Sequence, residues 1–216
     1  MKFVTSLVVL MLVVVVSLNW PFKTYTWNQK LTVSVATPDG ERSGASVVRI
    51  EALFGRRPLS ANEVQYDIRG EAAVVDLGSG RYLFALIRGT AELAARTWRG
   101  DIPRSRKEWL PVIERLRDRR DVPFQSYPRL VTFDDINVPA SVRRVDPNDL
   151  AATFGPGYAL RSLTIEITDE PVTEGRVEQI IDWLGDDPES RLGPATGRTT
   201  GIPFYRRVSN GDFIRR

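Results

Sequence analysis

The chain has 216 residues, 42% hydrophobic and 26% charged, with a formal net charge of +3 and a sequence pI of 9.4. That composition suits one ordinary domain plus an extra apolar segment and excludes wholesale disorder. With no cysteine and no histidine, disulfides, thiolate catalysis, iron–sulfur clusters, cysteine-based zinc sites and any Ser-His-Asp triad are excluded as well.

The chain opens on an apolar run. Between residues 3 and 18 nothing is charged, and the polar residues are Thr5, Ser6 and Ser17. As a helix this run spans ~24 Å, and extension to Phe22 gives ~30 Å, the thickness of a bilayer core, with Trp20 at the interface. Valine favours strand in water, but in lipid the backbone must satisfy itself, so the pattern predicts a transmembrane helix over residues 1–22. A cleavable leader needs small residues at the cut. Val15-Val16-Ser17, followed by bulky Trp20, matches poorly, so a retained signal anchor is favoured over a cleaved, secreted form. The short amino-terminal tail places the body on the extracytoplasmic side of a single-pass protein, with the lipid bilayer as a partner through residues 3–22.

Residues 30–88 read as β. Leu31, Val33 and Val35 alternate with polar neighbours, Pro38-Asp39-Gly40 carries turn chemistry, and Val48, Ile50 and Ala52 form the return strand. Val64, Tyr66 and Ile68 make a third strand, with Arg69-Gly70 expected as a tight turn. Residues 72–77, the Gly78-Ser79-Gly80 turn and an apolar central strand over 82–87 complete an antiparallel sheet of about five strands.

Residues 89–185 read as mixed. Thr90 caps a short helix to about Trp98, and Ser105 with Glu108 forms a capping box before Trp109, Val112, Ile113 and Leu116, a helix that Pro111 should kink. A strand is expected over 129–133. Asp146 and Pro147 start a helix that Gly155 stops, and a strand carries Leu163, Ile165 and Ile167 inward. Val177, Ile180, Ile181 and Leu184 form the stripe of a last helix closed by Gly185. Residues 186–216 read as an extended basic tail in which 202–208 docks as an edge strand. The expected fold class is therefore α+β: an N-terminal transmembrane helix followed by an antiparallel sheet with a few packed helices.

Candidate chemistry is sparse. Residues 134–189 hold 13 acids against four arginines, a net of −9, while residues 88–120 hold ten bases against five acids, a net of +5; segments of opposite sign are expected to pair within the chain. Asp134, Asp135, Asp146 and Asp149 are the natural candidates for a carboxylate pair or an oxygen-ligated cation. Adjacent aspartates on an extended segment point apart, however, and Asp146 and Asp149 are explained as helix-start residues. Basic residues are nearly all arginine, whose planar fork suits phosphate and carboxylate. The pairs Arg56-Arg57, Arg119-Arg120, Arg143-Arg144, Arg206-Arg207 and Arg215-Arg216 are scattered and read as solvated surface. Arg96, Trp98 and Arg99 come nearest to a nucleic-acid contact, with Trp98 equally suited to the core; nucleic acid is not expected as a partner. No catalytic, cofactor-binding or metal-ligating residue is assigned.

The stretch "TFDDINVPASVRRVDPNDLAATFGPGY", followed by "LTIEITDEPVT", resembles segments of small bacterial single-span membrane proteins of no assigned activity. The resemblance covers about a quarter of the chain and implies a bacterial, membrane-attached protein. The sequence thus favours a membrane-anchored envelope protein that serves as a non-catalytic binding or scaffold module, with another envelope protein as partner. An envelope hydrolase using a carboxylate pair is the alternative.

Overall fold

A computed structural model describes residues 23–55, 64–193 and 202–216. Among these residues ten strands form two antiparallel sheets. The strands are β1 (Lys23–Thr37), β2 (Gly40–Phe54), β3 (Val64–Glu71), β4 (Ala73–Gly78), β5 (Arg81–Ala85), β6 (Arg119–Asp121), β7 (Leu130–Phe133), β8 (Val142–Arg144), β9 (Ala159–Thr168) and β10 (Ile214–Arg215). The first sheet runs β10-β3-β2-β1-β9-β6 and the second β4-β5-β7-β8. Among the described residues three short α-helices accompany them: α1 (Leu93–Thr97), α2 (Arg106–Arg115) and α3 (Ala151–Phe154).

This corrects the expected fold class in two respects. The strands belong to two sheets rather than one, and the helices are minor. Among the described residues no helix is long and apolar enough to cross a membrane. The longest, α2, has 10 residues, half of what a bilayer core needs, so the transmembrane and signal-anchor reading finds no support in the fold. The helix expected over 1–22 lies outside the described residues.

The long hairpin of β1 and β2 follows from strict alternation. From Tyr25 to Thr37 every second residue of β1 is buried, and Pro38-Asp39 turns the chain so that Thr37 pairs with Gly40. Residues 23–29 already belong to β1, ahead of the start expected at residue 30. Gln29 interrupts the apolar face without penalty: its amide oxygen accepts the Trp27 indole N–H at 3.2 Å, and its nitrogen donates to the Thr90 carbonyl at 2.9 Å.

The single meander splits because the chain changes sheet after β3. Arg69 and Gly70 do not turn; they pair with Arg49 and Arg215 inside the first sheet. Ala72 marks the crossing, its N–H donating to the Phe213 carbonyl at 2.7 Å. Beyond it Ala73, Val74, Val75 and Leu77 are all buried, so this strand is covered on both faces. The sheets touch where β2 passes β4. A Cβ on Gly44 would lie 1.8 Å from the Val74 carbonyl oxygen, so a side chain there would force the layers apart.

Glu71 braces the corner. Its carbonyl accepts the Ser46 hydroxyl at 2.7 Å, and its buried carboxylate accepts the backbone N–H groups of Arg176 and Val177 at 3.1 Å each. Burial outweighs those bonds and pushes its pKa above the usual carboxylate value.

Other local expectations fail for tertiary reasons. Ser105 precedes α2 but makes no side-chain cap, and Pro111 is carried within the helix. Leu110 is fully buried and Val112 is 38% exposed, so Leu110 takes the inward place expected of Val112. The helix expected after Asp146 starts later, at Ala151, with the Asp149 carboxylate accepting the Ala152 N–H at 2.9 Å. Val177, Ile181 and Leu184 are buried as a stripe, but along turns rather than a helix. There the Trp183 indole is drawn to the Ile136 carbonyl at 2.7 Å. Residues 202–208 contain a 3₁₀ turn at Phe204–Arg207 rather than an edge strand; β10 fills that place beside β3. Far from trailing, the last residues send Phe213 into the core, edge-on to Phe84 at 5.5 Å between ring centroids.

Candidate functional site

The four sequence candidates each serve their own turn. Asp134 pairs with Arg143 at 2.7 Å, joining β7 to β8. Asp135 accepts the backbone N–H of Asn137 at 2.9 Å, and Asp146 accepts that of Asn148 at 2.9 Å, both Asx turns. Asp149 caps α3. Among the described residues no three acidic side chains are grouped so as to hold a metal ion.

A cleft of about 520 Å³ lies instead at one end of the second sheet, a volume typical of small-molecule sites. Its walls are the turn after β5, the start of α1, the segment 124–130 leading into β7, and the end of β8. Backbone bonds fix these walls to one another: Leu86 N–H donates to the Arg129 carbonyl at 3.0 Å, and Val145 N–H to the Leu130 carbonyl at 2.9 Å. The Gln29 amide holds Thr90 from beneath. The cleft thus rests on the core of both sheets.

Four arginines line it: Arg88, Arg96, Arg129 and Arg144. Phe124, 53% exposed, joins Tyr127 on one wall at 5.3 Å between centroids. Three of the guanidiniums are steadied from behind. Arg88 pairs at 2.5 Å with Asp212, itself 1% exposed and also accepting the Ser209 N–H. Arg96 donates to the Gly89 carbonyl at 2.6 Å. Arg129 lies 5.9 Å from the centre of the Phe204 ring, a cation–π distance. Arg144 makes no ion pair among the described residues.

Among the described residues no lining residue is acidic, and the acids adjoining the lining segments bond to groups other than the lining arginines. Glu92 binds Arg106 at 2.9 Å and receives the Tyr66 hydroxyl at 3.4 Å. Burial, with Glu92 beside it, pushes the Tyr66 pKa up to about 12. Asp146 is turned to Asn148. Among the described residues the lining thus carries four arginines, with Asp212 behind Arg88, an excess of positive charge where low-dielectric walls strengthen its field.

A second concavity, of about 560 Å³, lies along β6 and β9 and has the opposite character. It is lined by Arg117 and Arg119 with Asp118, Glu166, Asp169 and Glu170. Arg117 binds Asp169 through two bonds of 2.6 and 3.0 Å. The Trp98 indole, which the fold buries, and then the Arg119 N–H hold the Asp118 carboxyl below its usual range. Arg120 binds both Asp101 and Asp118. The Arg117–Asp169 pair joins the two oppositely charged segments of the sequence.

Sequence pattern singles out neither Arg88 nor Arg129, and sets Arg96 and Arg144 aside. One signal was available: each of the four lies in an acid-free stretch, over 86–91, 93–100, 122–133 and 138–145. No family model matches the chain, and no curated protein or solved structure is significantly similar to it.

Proposed function

We propose that this chain is a non-catalytic binding module of the bacterial cell envelope, directed to a membrane by residues 3–22 and engaging its ligand through the arginine cleft. One observation carries the reading. The cleft gathers four guanidiniums, no carboxylate and two aromatic side chains on a rigid base, an arrangement that binds but offers no nucleophile–base pair. The absence of histidine and cysteine from the whole chain supports it, as does the local employment of Asp134, Asp135, Asp146 and Asp149.

The reading is tested in living cells with a photo-crosslinking amino acid in place of Phe124 in the full-length chain, and a control probe at Val112, which is also exposed but lies on α2 outside the cleft. The expected result is a discrete light-dependent adduct from position 124, enriched in the membrane fraction, and none from position 112. Equal adducts from both positions, or none, overturn the cleft as the binding site.

A further inference from the structure

We infer that the arginine cleft is a site for an oxyanion ligand carrying at least two negative charges, its phosphate or carboxylate groups held by Arg88, Arg96, Arg129 and Arg144; this rests on the cleft being the binding site. The first ground is charge. Arg69, Arg106, Arg117 and Arg143, outside the cleft, each meet a carboxylate, those of Glu174, Glu92, Asp169 and Asp134 respectively. At the cleft four guanidiniums share one concavity and, among the described residues, only Arg88 meets a carboxylate, that of Asp212 behind it. Like charges brought into one concavity repel unless a counter-charge enters. A ligand with two or more negative charges supplies it, and a monoanion does not.

The second ground is geometry. A guanidinium offers donors in a planar fork that fits two oxygens of one phosphate or carboxylate. Arg88, Arg96 and Arg129 are each supported on the protein side, by a carboxylate, a backbone carbonyl and an aromatic ring. Their side-chain freedom is reduced before a ligand arrives, which lowers the ordering cost of binding. The third ground is size and lining. A space of about 520 Å³ holds a small molecule, and the Phe124–Tyr127 wall gives its uncharged part a flat apolar surface. A free metabolite and a lipid headgroup share this chemistry, so the test separates them.

The test is calorimetric titration of the full-length chain in non-ionic detergent at low salt with three probes: inorganic pyrophosphate, citrate, and glycerophosphoglycerol, a singly charged phosphodiester, as a headgroup without its chains. Three proteins are compared: wild type, the double variant Arg129→Gln/Arg144→Gln, and Arg117→Gln in the second concavity. All three positions are exposed, and circular dichroism checks that the variants stay folded. Saturable binding of pyrophosphate or citrate is expected, at least tenfold tighter than that of glycerophosphoglycerol. It should weaken at least tenfold in the double variant and be unchanged in Arg117→Gln. Tightest binding of glycerophosphoglycerol, lost in the double variant, overturns the multiply charged ligand and makes the source a headgroup. No binding of any probe, or binding equal in all three proteins, overturns the oxyanion site. A crosslinked partner at position 124 without anion binding leaves the binding module standing and removes its proposed ligand class.

Discussion

The two concavities of this molecule are of nearly equal volume, about 520 and 560 Å³, and both are lined by arginine. They differ in where the carboxylates are. Along β6 and β9 the acids face the arginines and close the circuit within the chain, so that surface has little left to offer a charged ligand. At the end of the second sheet the neighbouring acids are diverted to Arg106, to Asn148 and to the rear of Arg88. An arginine-rich composition is therefore no indicator of a site. The informative quantity is the local mismatch of charge, which the fold alone determines.

The comparison breaks most thoroughly if the ground under the cleft is removed. Phe213 is fully buried between Phe84 and Phe133. Phe213→Ala is expected to cost ~3–5 kcal/mol in urea unfolding, the usual range for a buried phenylalanine, and to abolish anion binding together with the fold. A loss under ~1 kcal/mol would mean that the last residues are not part of the core.

Asp212→Asn separates stability from binding. The variant leaves Arg88 without its ion and weakens the bond to the Ser209 N–H, an expected loss of ~1–3 kcal/mol. It also removes the negative charge paired with Arg88, so pyrophosphate affinity should rise several-fold while unfolding becomes easier. A parallel fall in both quantities would show Asp212 to be a simple strut.

Glu71 gives a smaller, pH-dependent effect away from both concavities. Its carboxylate is satisfied by backbone N–H groups rather than by an arginine, and burial raises its pKa in the folded state. In the window just above the ordinary glutamate pKa the folded chain holds a proton that the unfolded chain has released. This group's contribution to stability is therefore full below that window and declines as pH rises through the folded pKa. Urea unfolding of wild type and Glu71→Gln between pH 4 and pH 8 should show the variant gaining relative to wild type as pH rises. A constant difference would refute the raised pKa.

The smallest effect is expected in the paired concavity. Arg117 is exposed and its partner Asp169 more so. Arg117→Gln should leave the melting temperature and pyrophosphate binding unchanged within error, as for most surface pairs.

The parts legible in the sequence were those governed by short-range pattern. Alternation located β1, β2 and β9, and glycine chemistry located the turns at Gly40 and at Gly78-Ser79-Gly80. What escaped depended on contacts between distant segments. The switch of sheets at Ala72 is fixed by Phe213, and the path of 177–184 by Trp183 reaching Ile136. The cleft escaped for the same reason. Its arginines are scattered over 88–144 and meet only after β5, β7 and β8 have paired. Asp135 and Asp146 stand in conspicuous motifs, and those motifs are turns.

The most direct measurement follows the arginine Nε–H resonances of the full-length chain by NMR while pyrophosphate is added. Saturable shifts in Arg88, Arg96, Arg129 and Arg144 with a common midpoint, and none in Arg117 or Arg120, are predicted. Equal movement of both sets, or movement of Arg117 and Arg120 alone, would contradict the account.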